Sequence, residues 1–268
     1  MFSSPVQACL LGIVQGVTEF LPVSSTAHLL LSERWLGYQD PGGVFTVMIQ
    51  LGSILAVVWL YRAKLVEVAA GLPGDPRSRR FVLTVLVAFL PAVVGGALFA
   101  GYVKRVLYGT LTVVAVAFIV GGIVMLAVER WRKSPTIHAA DGLPVGHALF
   151  VGMWQVLALV PGVSRSGATM VGGMLAGVDR AAVTEFSFFL AMPTMSAAFA
   201  HDFLQARHHL APGRATDIAI GFVAAFLASA AVVKPFLGYV RRSGFAPFAW
   251  YRILLGLALL AAIAAGRV

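Results

Sequence analysis

The sequence predicts an all-α polytopic integral membrane protein with six transmembrane helices and two re-entrant helical hairpins in an inverted-topology repeat. Of its 268 residues, 59% are apolar and 12% are charged, whereas a soluble globular domain usually carries about 45–50% apolar and about 25% charged residues. A chain with so few polar groups cannot cover a water-facing surface. The composition therefore excludes an ordinary soluble enzyme, and we expect lipid to surround most of the chain.

Six segments are long and apolar enough to cross a bilayer, which takes about 20 helical residues. Each is an almost uncharged run that ends at basic or turn residues. The six predicted spans are residues 44–61, 81–101, 109–128, 183–200, 216–235 and 249–266.

Two further apolar stretches are interrupted by proline and a polar cluster, and we predict that both are re-entrant hairpins. Residues 5–31 contain Leu-Pro-Val-Ser-Ser-Thr at 21–26, and residues 146–175 contain Val-Pro-Gly-Val-Ser-Arg-Ser-Gly at 160–167. Irregular backbone at membrane depth is tolerated only where it is buried in protein or lines a wet cavity. We therefore expect both polar turns to point inward.

The two halves of the chain match at a nearly constant offset of about 140 positions, which indicates an internal duplication. The matched residues are Gln15 with Gln155, Ser24 with Ser164, Thr26 with Ser166, and Phe45-Thr46 with Phe186-Ser187. We predict one membrane domain, residues 1–268, with a first repeat at 1–138 and a second at 139–268. Three spans in each repeat invert the second half, and such repeats place their site near the midplane.

The basic residues explain the net charge of +9 without a nucleic-acid partner, because they lie in short breaks between the apolar segments. Twelve of the 20 fall on the side of loops 62–80, 129–147, 176–182 and 236–247, and six fall on the other side. The positive-inside rule predicts that the richer side is cytoplasmic. The hairpin at 5–31 then opens outward, and the hairpin at 146–175 enters from the cytoplasm.

Ionisable side chains within apolar segments are functional candidates, because a charge at the centre of a membrane helix costs about 2.5–3.5 kcal/mol. Glu19 and Arg165 are the clearest cases, and Gln15 shares a helix face with Glu19 four residues later. The first polar turn then brings Ser24, Ser25 and Thr26, which are of types that begin a helix.

His28 follows Ser25 by three positions, so we expect the two on neighbouring surfaces of the new helix. Free N–H groups at a helix start favour an anion. The second polar turn supplies Ser164, Arg165, Ser166 and Thr169, and the guanidinium fork suits bidentate contact with phosphate.

If the two turns meet, the combined carboxylate, hydroxyls, imidazole and guanidinium suit phosphoryl transfer, in which a protein positions groups and neutralises charge. The carboxylate can also hold a divalent cation.

Two motifs resemble the signatures of the bacterial undecaprenyl-diphosphate phosphatase family of the bacitracin-resistance type. One is Gln15-Gly-Val-Thr-Glu19-Phe-Leu-Pro-Val-Ser-Ser-Thr-Ala-His28, and the other is Pro161-Gly-Val-Ser-Arg-Ser-Gly-Ala-Thr169. Shorter similarities at 49–57, 185–188 and 247–252 extend the resemblance over nearly the whole chain.

The resemblance implies an enzyme that removes the terminal phosphate from the C55 isoprenyl lipid undecaprenyl diphosphate, recycles the carrier lipid for cell-wall synthesis and confers bacitracin resistance. It also implies a divalent cation (Mg²⁺ or Ca²⁺), a homodimer, and a multi-pass location in the bacterial inner membrane with the site facing the periplasm or cell exterior.

Carried over by position, the resemblance makes Gln15 and Glu19 the metal or acid/base pair and Ser25 the nucleophile, with His28 beside it. The predicted catalytic residues are Glu19, Ser25, His28 and Arg165, with Glu19 also as metal ligand. We hypothesise that His28 accepts or returns the Ser25 proton. The predicted substrate-binding residues are Gln15, Ser24, Thr26, Gln50, Ser164, Ser166 and Thr169. The family's first position can be Glu or Gln, and Gln15 cannot ionise, so we expect it to contribute an amide oxygen or a hydrogen bond.

Several alternatives stay open at this point. Water activated by His28 or Glu19 could replace Ser25 as the attacking group. A polyprenyl-phosphate transporter or flippase would share the inverted repeat and broken helices. A metal site at His201, Asp202, His208 and His209 is conceivable, although a solvated loop explains these residues as well.

Overall fold

The computed structural model describes residues 4–107, 110–132, 134–206 and 214–266. Within these ranges the chain forms eleven α-helices, three short 3₁₀ turns and an isolated bridge between Ile137 and Val178, and no β-strand. The helices are α1 Ser4–Thr18, α2 Ser25–Leu36, α3 Val44–Leu60, α4 Arg62–Gly71, α5 Pro76–Val106, α6 Leu111–Trp131, α7 Val145–Val156, α8 Arg165–Leu175, α9 Arg180–Ala206, α10 Ala215–Ser243 and α11 Ala246–Ala264. The predicted all-α fold class is confirmed.

Six of these helices, α3, α5, α6, α9, α10 and α11, are long and apolar enough to cross a membrane. They correspond in order to the six predicted spans, of which only residue 109 lies outside the described part of the chain. Pro91, Pro193 and Pro235 lie inside α5, α9 and α10, where neighbouring helices can satisfy the backbone groups that a proline frees.

Local signals set the helix starts at the polar ends of the spans. The Asp75 carboxylate accepts hydrogen bonds from the backbone N–H groups of Arg77 and Ser78 at 3.0 Å each, and Pro76 occupies the first helical position of α5. Hydrogen bonds, first that from the Ser78 hydroxyl, lower the pKa of Asp75. Asp40 caps α3 in the same way.

The two interrupted stretches each form a pair of short helices that pack on each other. The first turn, residues 19–24, joins α1 to α2, and the second turn, residues 160–164, precedes α8 after α7 and its 3₁₀ extension. The structure thus confirms that both stretches break at the polar clusters. Their entry into and exit from one side of a bilayer stays a prediction, as does the division into repeats at residue 138.

Helices from the two halves cross-pack, and small residues allow the close approach. α1 packs on α10, and α7 packs on α5. A Cβ atom on Gly16 of α1 would lie 2.4 Å from the carbonyl oxygen of Ala225, and one on Gly152 of α7 would lie 2.3 Å from that of Ala88. The short helices are therefore held backbone to backbone against long spans, and this fixes where the two turns lie.

We expect Gly152→Leu to destabilise the fold by about 1–3 kcal/mol or more, because the new side chain meets the Ala88 backbone, which cannot rotate away. The matched control is Gly96→Leu, since a Cβ atom on Gly96 of α5 meets nothing within 4 Å. The thermal unfolding midpoint in detergent should fall for the first variant and stay near the native value for the second. An unchanged midpoint for Gly152→Leu would refute the packing argument.

Candidate active site

The two turns meet through the buried guanidinium of Arg252 on α11. Its Nη1 donates to the carbonyl oxygen of Pro22 in the first turn at 3.1 Å, and its Nη2 donates to that of Gly162 in the second turn at 3.2 Å. Nη2 also donates to the carbonyl oxygen of Ala117 on α6 at 3.0 Å. With 2% of its surface exposed, this side chain ties both turns to two spans.

A second link joins the turns directly. The hydroxyl of Ser166 donates to the carbonyl oxygen of Leu21 at 2.7 Å, and the hydroxyl of Ser164 lies 2.9 Å from that of Ser166. The structure therefore brings together the two polar clusters that the sequence placed in separate hairpins.

The Glu19 carboxylate is the centre of the site and makes three contacts with predicted residues. The Gln15 amide donates to Oε2 at 2.8 Å, the Ser25 hydroxyl donates to Oε2 at 2.5 Å, and Nη2 of Arg165 donates to Oε1 at 3.4 Å. All three partners were predicted for one site. Because Glu19 is only 8% exposed, these contacts act with little screening by water.

Arg165 reaches Glu19 from the first position of α8, and its donor groups are only partly used. Nη1 donates to the backbone carbonyl of Ser187 at 3.2 Å, while the buried Nε has no hydrogen-bond partner. A guanidinium carries five N–H donors. The Arg165 guanidinium is held in place by one carboxylate and one carbonyl oxygen. Its remaining N–H donors can bind an anionic ligand.

The other predicted residues of the second turn are occupied with shaping it. Ser164 caps α8 by accepting from the N–H of Gly167 at 3.1 Å. The fully buried Thr169 hydroxyl lies 2.7 Å from the Ser187 hydroxyl and also contacts the carbonyl oxygens of Arg165 and Ser166 at 3.1 and 3.0 Å. These hydroxyls hold the start of α8, and through it the Arg165 backbone, against α9.

The first turn ends at a residue with unusual backbone geometry. Ser24 has φ 68° and ψ 90°, and it is the one non-glycine residue with a positive φ in the ranges that the structure covers. Its buried side chain makes no capping hydrogen bond, so Ser24 does not cap α2 as its residue type suggested. Ser25 follows as the first residue of α2.

His28 does not contact Ser25 through a hydrogen bond. Its Nδ1 lies 2.8 Å from the backbone carbonyl oxygen of Ser24, and its Nε2 lies 2.6 Å from the hydroxyl of Tyr251. Ser25 and His28 both lie in the first turn of α2. The hydrogen-bond acceptor of the Ser25 hydroxyl is nevertheless Glu19 and not His28.

Thr26 and Gln50 are half-buried, and none of the hydrogen bonds found among the described residues joins either one to the Glu19 cluster. His201 lies in α9 and not in the loop expected from the sequence, and it pairs with Gln205 one helical turn on at 2.7 Å; His208 and His209 lie outside the described residues. Over the ranges that are described, no group of three His, Cys, Asp or Glu residues is placed to hold a metal.

Sequence reasoning assigned no site role to Arg252 and Tyr251, which contact Pro22 of the first turn and His28 of α2 from more than 220 residues away. A signal was present for both, since they lie in the family-like segment 247–252. For Arg252 there was a second signal, because an arginine inside the apolar run at 249–266 needs a buried partner.

Comparison with known proteins agrees with the motifs. The family model for the bacitracin resistance protein BacA matches residues 8–258. A Cereibacter sphaeroides protein named undecaprenyl-diphosphatase is 52% identical over 264 residues, which cover 98% of each chain. A Paracoccus denitrificans protein of the same name is 48% identical over 99% of this chain and 100% of that protein. The Agrobacterium fabrum protein undecaprenyl-diphosphatase 1 is 49% identical over 98% of each. The resemblance seen in the two motifs is thereby confirmed, and the chain belongs to the bacitracin resistance protein BacA family.

Proposed function

We propose that this protein is an undecaprenyl-diphosphate phosphatase, a hydrolase that converts undecaprenyl diphosphate and water to undecaprenyl phosphate and inorganic phosphate. The observation that carries the proposal is the short hydrogen bond from Ser25 to Glu19, with Arg165 on the other carboxylate oxygen. Relatives about 50% identical over nearly the full chain are named undecaprenyl-diphosphatase, which supports this substrate. Recycling of the carrier lipid serves cell-wall synthesis and gives resistance to bacitracin.

Binding of the diphosphate follows from the positive groups of the site. Arg165 offers the Nε–H group that has no hydrogen-bond partner, and the positive N-terminal ends of the α8 and α2 helix dipoles favour an anion beside it. The apolar helices around the turns accommodate the isoprenyl chain, while the phosphates lie between Arg165 and Ser25. A phosphate that binds to Arg165 competes with Glu19 for the guanidinium, because the contact between Arg165 and Glu19 is long, at 3.4 Å. The Glu19 carboxylate is then free to accept a proton.

In the chemical step, the Ser25 hydroxyl oxygen attacks the terminal phosphorus while Glu19 takes its proton across the 2.5 Å hydrogen bond. The bond from that phosphorus to the bridging oxygen breaks, and Glu19 passes the proton to the departing undecaprenyl phosphate. Water then attacks the phosphoserine while Glu19 takes a proton from it; the bond from phosphorus to the Ser25 oxygen breaks, phosphate leaves, and Glu19 returns the proton to that oxygen. This assigns to Glu19 the proton transfer that the sequence-based hypothesis gave to His28.

Direct attack by water is the second mechanism that the geometry permits. Glu19 would deprotonate the water, and Ser25 would position it by hydrogen bonding. The two routes differ in whether phosphate is ever bound covalently to the protein.

A divalent cation, Mg²⁺ or Ca²⁺, fits beside Glu19. The Oε1 atom of Gln15 is buried without a hydrogen-bond partner, and its amide group already contacts Glu19. An amide oxygen and a carboxylate are the kinds of ligand that hard cations prefer. Gln15 and Glu19 would hold the ion, which would screen the negative charge of the diphosphate.

We further propose that the protein lies in the bacterial inner membrane as a homodimer, with the Glu19 site open to the periplasm. The excess of basic residues in the four segments 62–80, 129–147, 176–182 and 236–247 supports this orientation. The reciprocal packing of α1 on α10 and α7 on α5 supports an inverted repeat with two re-entrant hairpins.

Lipid transport is the rival function, and the reciprocal packing of the halves favours it, since many transporters are built in this way. The second half, however, lacks the reactive group: Leu159 stands where the repeat offset places the counterpart of Glu19, and Gln155 pairs with Thr194 instead. A reactive carboxylate in one repeat, without a counterpart in the other, is what we expect of an enzyme. Lipid movement in vesicles without phosphate release from undecaprenyl diphosphate would establish the rival.

We expect Ser25→Ala to lower phosphate release from undecaprenyl diphosphate at least about a thousandfold, because it removes the attacking oxygen. Ser243→Ala, at the exposed end of α10, serves as the matched control and should keep native activity. Quenching turnover of a substrate with a labelled terminal phosphate should trap labelled protein in the native chain. Near-native turnover by folded Ser25→Ala would eliminate the covalent route.

Glu19→Gln should lower kcat about a hundredfold to ten-thousandfold, since the amide keeps the size of the side chain but cannot take the Ser25 proton. Glu67→Gln, which alters an exposed carboxylate that pairs with Lys64, should leave kcat unchanged. Steady-state phosphate release by folded protein in detergent measures both. A Glu19→Gln variant with native kcat would exclude Glu19 as the base.

Gln15→Glu should lower the Mg²⁺ concentration needed for half-maximal activity about tenfold, because a carboxylate replaces the neutral, unpartnered amide oxygen. Activity measured over a Mg²⁺ titration after treatment with a chelator tests this. If the Mg²⁺ dependence is the same in both proteins, Gln15 does not lie at the cation.

A further inference from the structure

The hydrogen-bond partners of His28 decide its tautomer. Nδ1 lies 2.8 Å from the Ser24 carbonyl oxygen, which can only accept, so Nδ1 carries the proton. In the neutral ring Nε2 then accepts, and the hydroxyl of Tyr251 donates to it at 2.6 Å. The Tyr251 ring stacks on the imidazole with 13° between the planes and 5.6 Å between the centroids. Neither nitrogen is free to take the proton of Ser25.

The carbonyl that His28 holds belongs to the strained residue of the first turn. Ser24 has a φ of 68°, which non-glycine residues rarely adopt, and its own side chain makes no capping bond. A strained backbone persists only where its surroundings over-determine it. His28 provides two donors to this one carbonyl oxygen, its backbone N–H at 3.3 Å and Nδ1–H at 2.8 Å.

The same peptide group sets the direction of Ser25. A peptide bond is planar, so fixing the Ser24 carbonyl also fixes the N–H of Ser25 and the direction in which its Cα leaves the turn. The Ser25 hydroxyl then meets Glu19 at 2.5 Å. The chain of contacts therefore runs from Tyr251 on α11 through His28 and the Ser24 carbonyl to the reacting hydroxyl.

We propose that Tyr251 and His28 are positioning residues: Tyr251 fixes the Nδ1–H tautomer of His28, and His28 holds the Ser24–Ser25 peptide so that the Ser25 hydroxyl faces Glu19. This inference rests on the proposed function, in which Ser25 and Glu19 react. It adds Tyr251 to the site and replaces a proton-transfer role for the imidazole with a role in geometry.

Two substitutions of His28 separate positioning from base catalysis. Asparagine places an amide N–H group close to where Nδ1–H of histidine lies, but it does not titrate between pH 5 and pH 9. We expect His28→Asn to keep kcat within about tenfold of the native value and His28→Ala to lose about a hundredfold, with KM similar in both. If the imidazole were the base, both variants would lose kcat equally.

Tyr251→Phe keeps the stacked ring and removes only the hydroxyl. We expect kcat to fall about threefold to tenfold in the native background and not to fall further in the His28→Asn background, since asparagine has no Nε2 to accept the bond. Tyr102→Phe, on the exposed surface of α5, is the matched control and should have native kcat. Unfolding midpoints in detergent establish that each variant is folded.

Imidazole ¹⁵N spectra of the native protein in detergent give a readout independent of turnover. The signal that disappears in His28→Asn belongs to His28, and we expect it to show the Nδ1–H tautomer. The Nε2–H tautomer, equal losses in His28→Asn and His28→Ala, or native kcat in Tyr251→Phe would each overturn the inference. Absence of phosphate release by the native protein would instead overturn the proposed function.

Discussion

The buried guanidinium of Arg252 is the contact on which the arrangement of the site depends. It donates to one backbone carbonyl in each polar turn and to a third on α6. Each turn contains proline or glycine and cannot satisfy its own carbonyl groups by helical hydrogen bonding. A permanently charged fork solves this for both turns at once. Glu19 begins the first turn, and Arg165 directly follows the second. The distance between the Glu19 carboxylate and the Arg165 guanidinium therefore depends on Arg252, which takes no part in the chemistry.

Charge balance between Glu19 and Arg165 explains why so few ionisable groups are enough for the site. Glu19 has hydrogen bonds from an amide, a hydroxyl and a guanidinium, and Arg165 has one carboxylate and one carbonyl as partners. Removing either charge leaves the other buried without compensation, which is costly. In the proposed reaction a bound diphosphate becomes the counter-charge of Arg165, while Glu19 keeps its hydrogen bonds from Gln15 and Ser25 and is neutralised when it takes the Ser25 proton. The resting ion pair and the proposed binding mode are therefore two uses of one electrostatic arrangement.

Sequence reasoning found most of the site because membrane burial makes polar residues conspicuous. A carboxylate and a guanidinium within apolar runs predicted Glu19 and Arg165, and helical spacing paired Gln15 with Glu19. Spacing also put His28 near Ser25, but it could not give the hydrogen-bond partner of either side chain. At the first position of α2 the serine hydroxyl turns back to Glu19, while the His28 ring reaches one helical turn back to the Ser24 carbonyl.

The sequence by itself determined that lipid surrounds most of the chain and that it has six apolar spans. It also determined where the two interrupted stretches break and which polar side chains lie near the breaks. Each of these depends on composition or on local spacing. The tertiary structure decided which groups touch. Tyr251 and Arg252 lie more than 220 positions from the first turn, and only the packing of α11 on α6 brings them to it. The positive φ of Ser24 is likewise a product of tertiary contacts, since serine does not adopt it unaided. The pattern of polar and apolar residues along a helix depends on the solvent around that helix, so it can be read from the sequence. The hydrogen-bond partners in a buried site depend on which helices pack around it, and only the tertiary structure shows that.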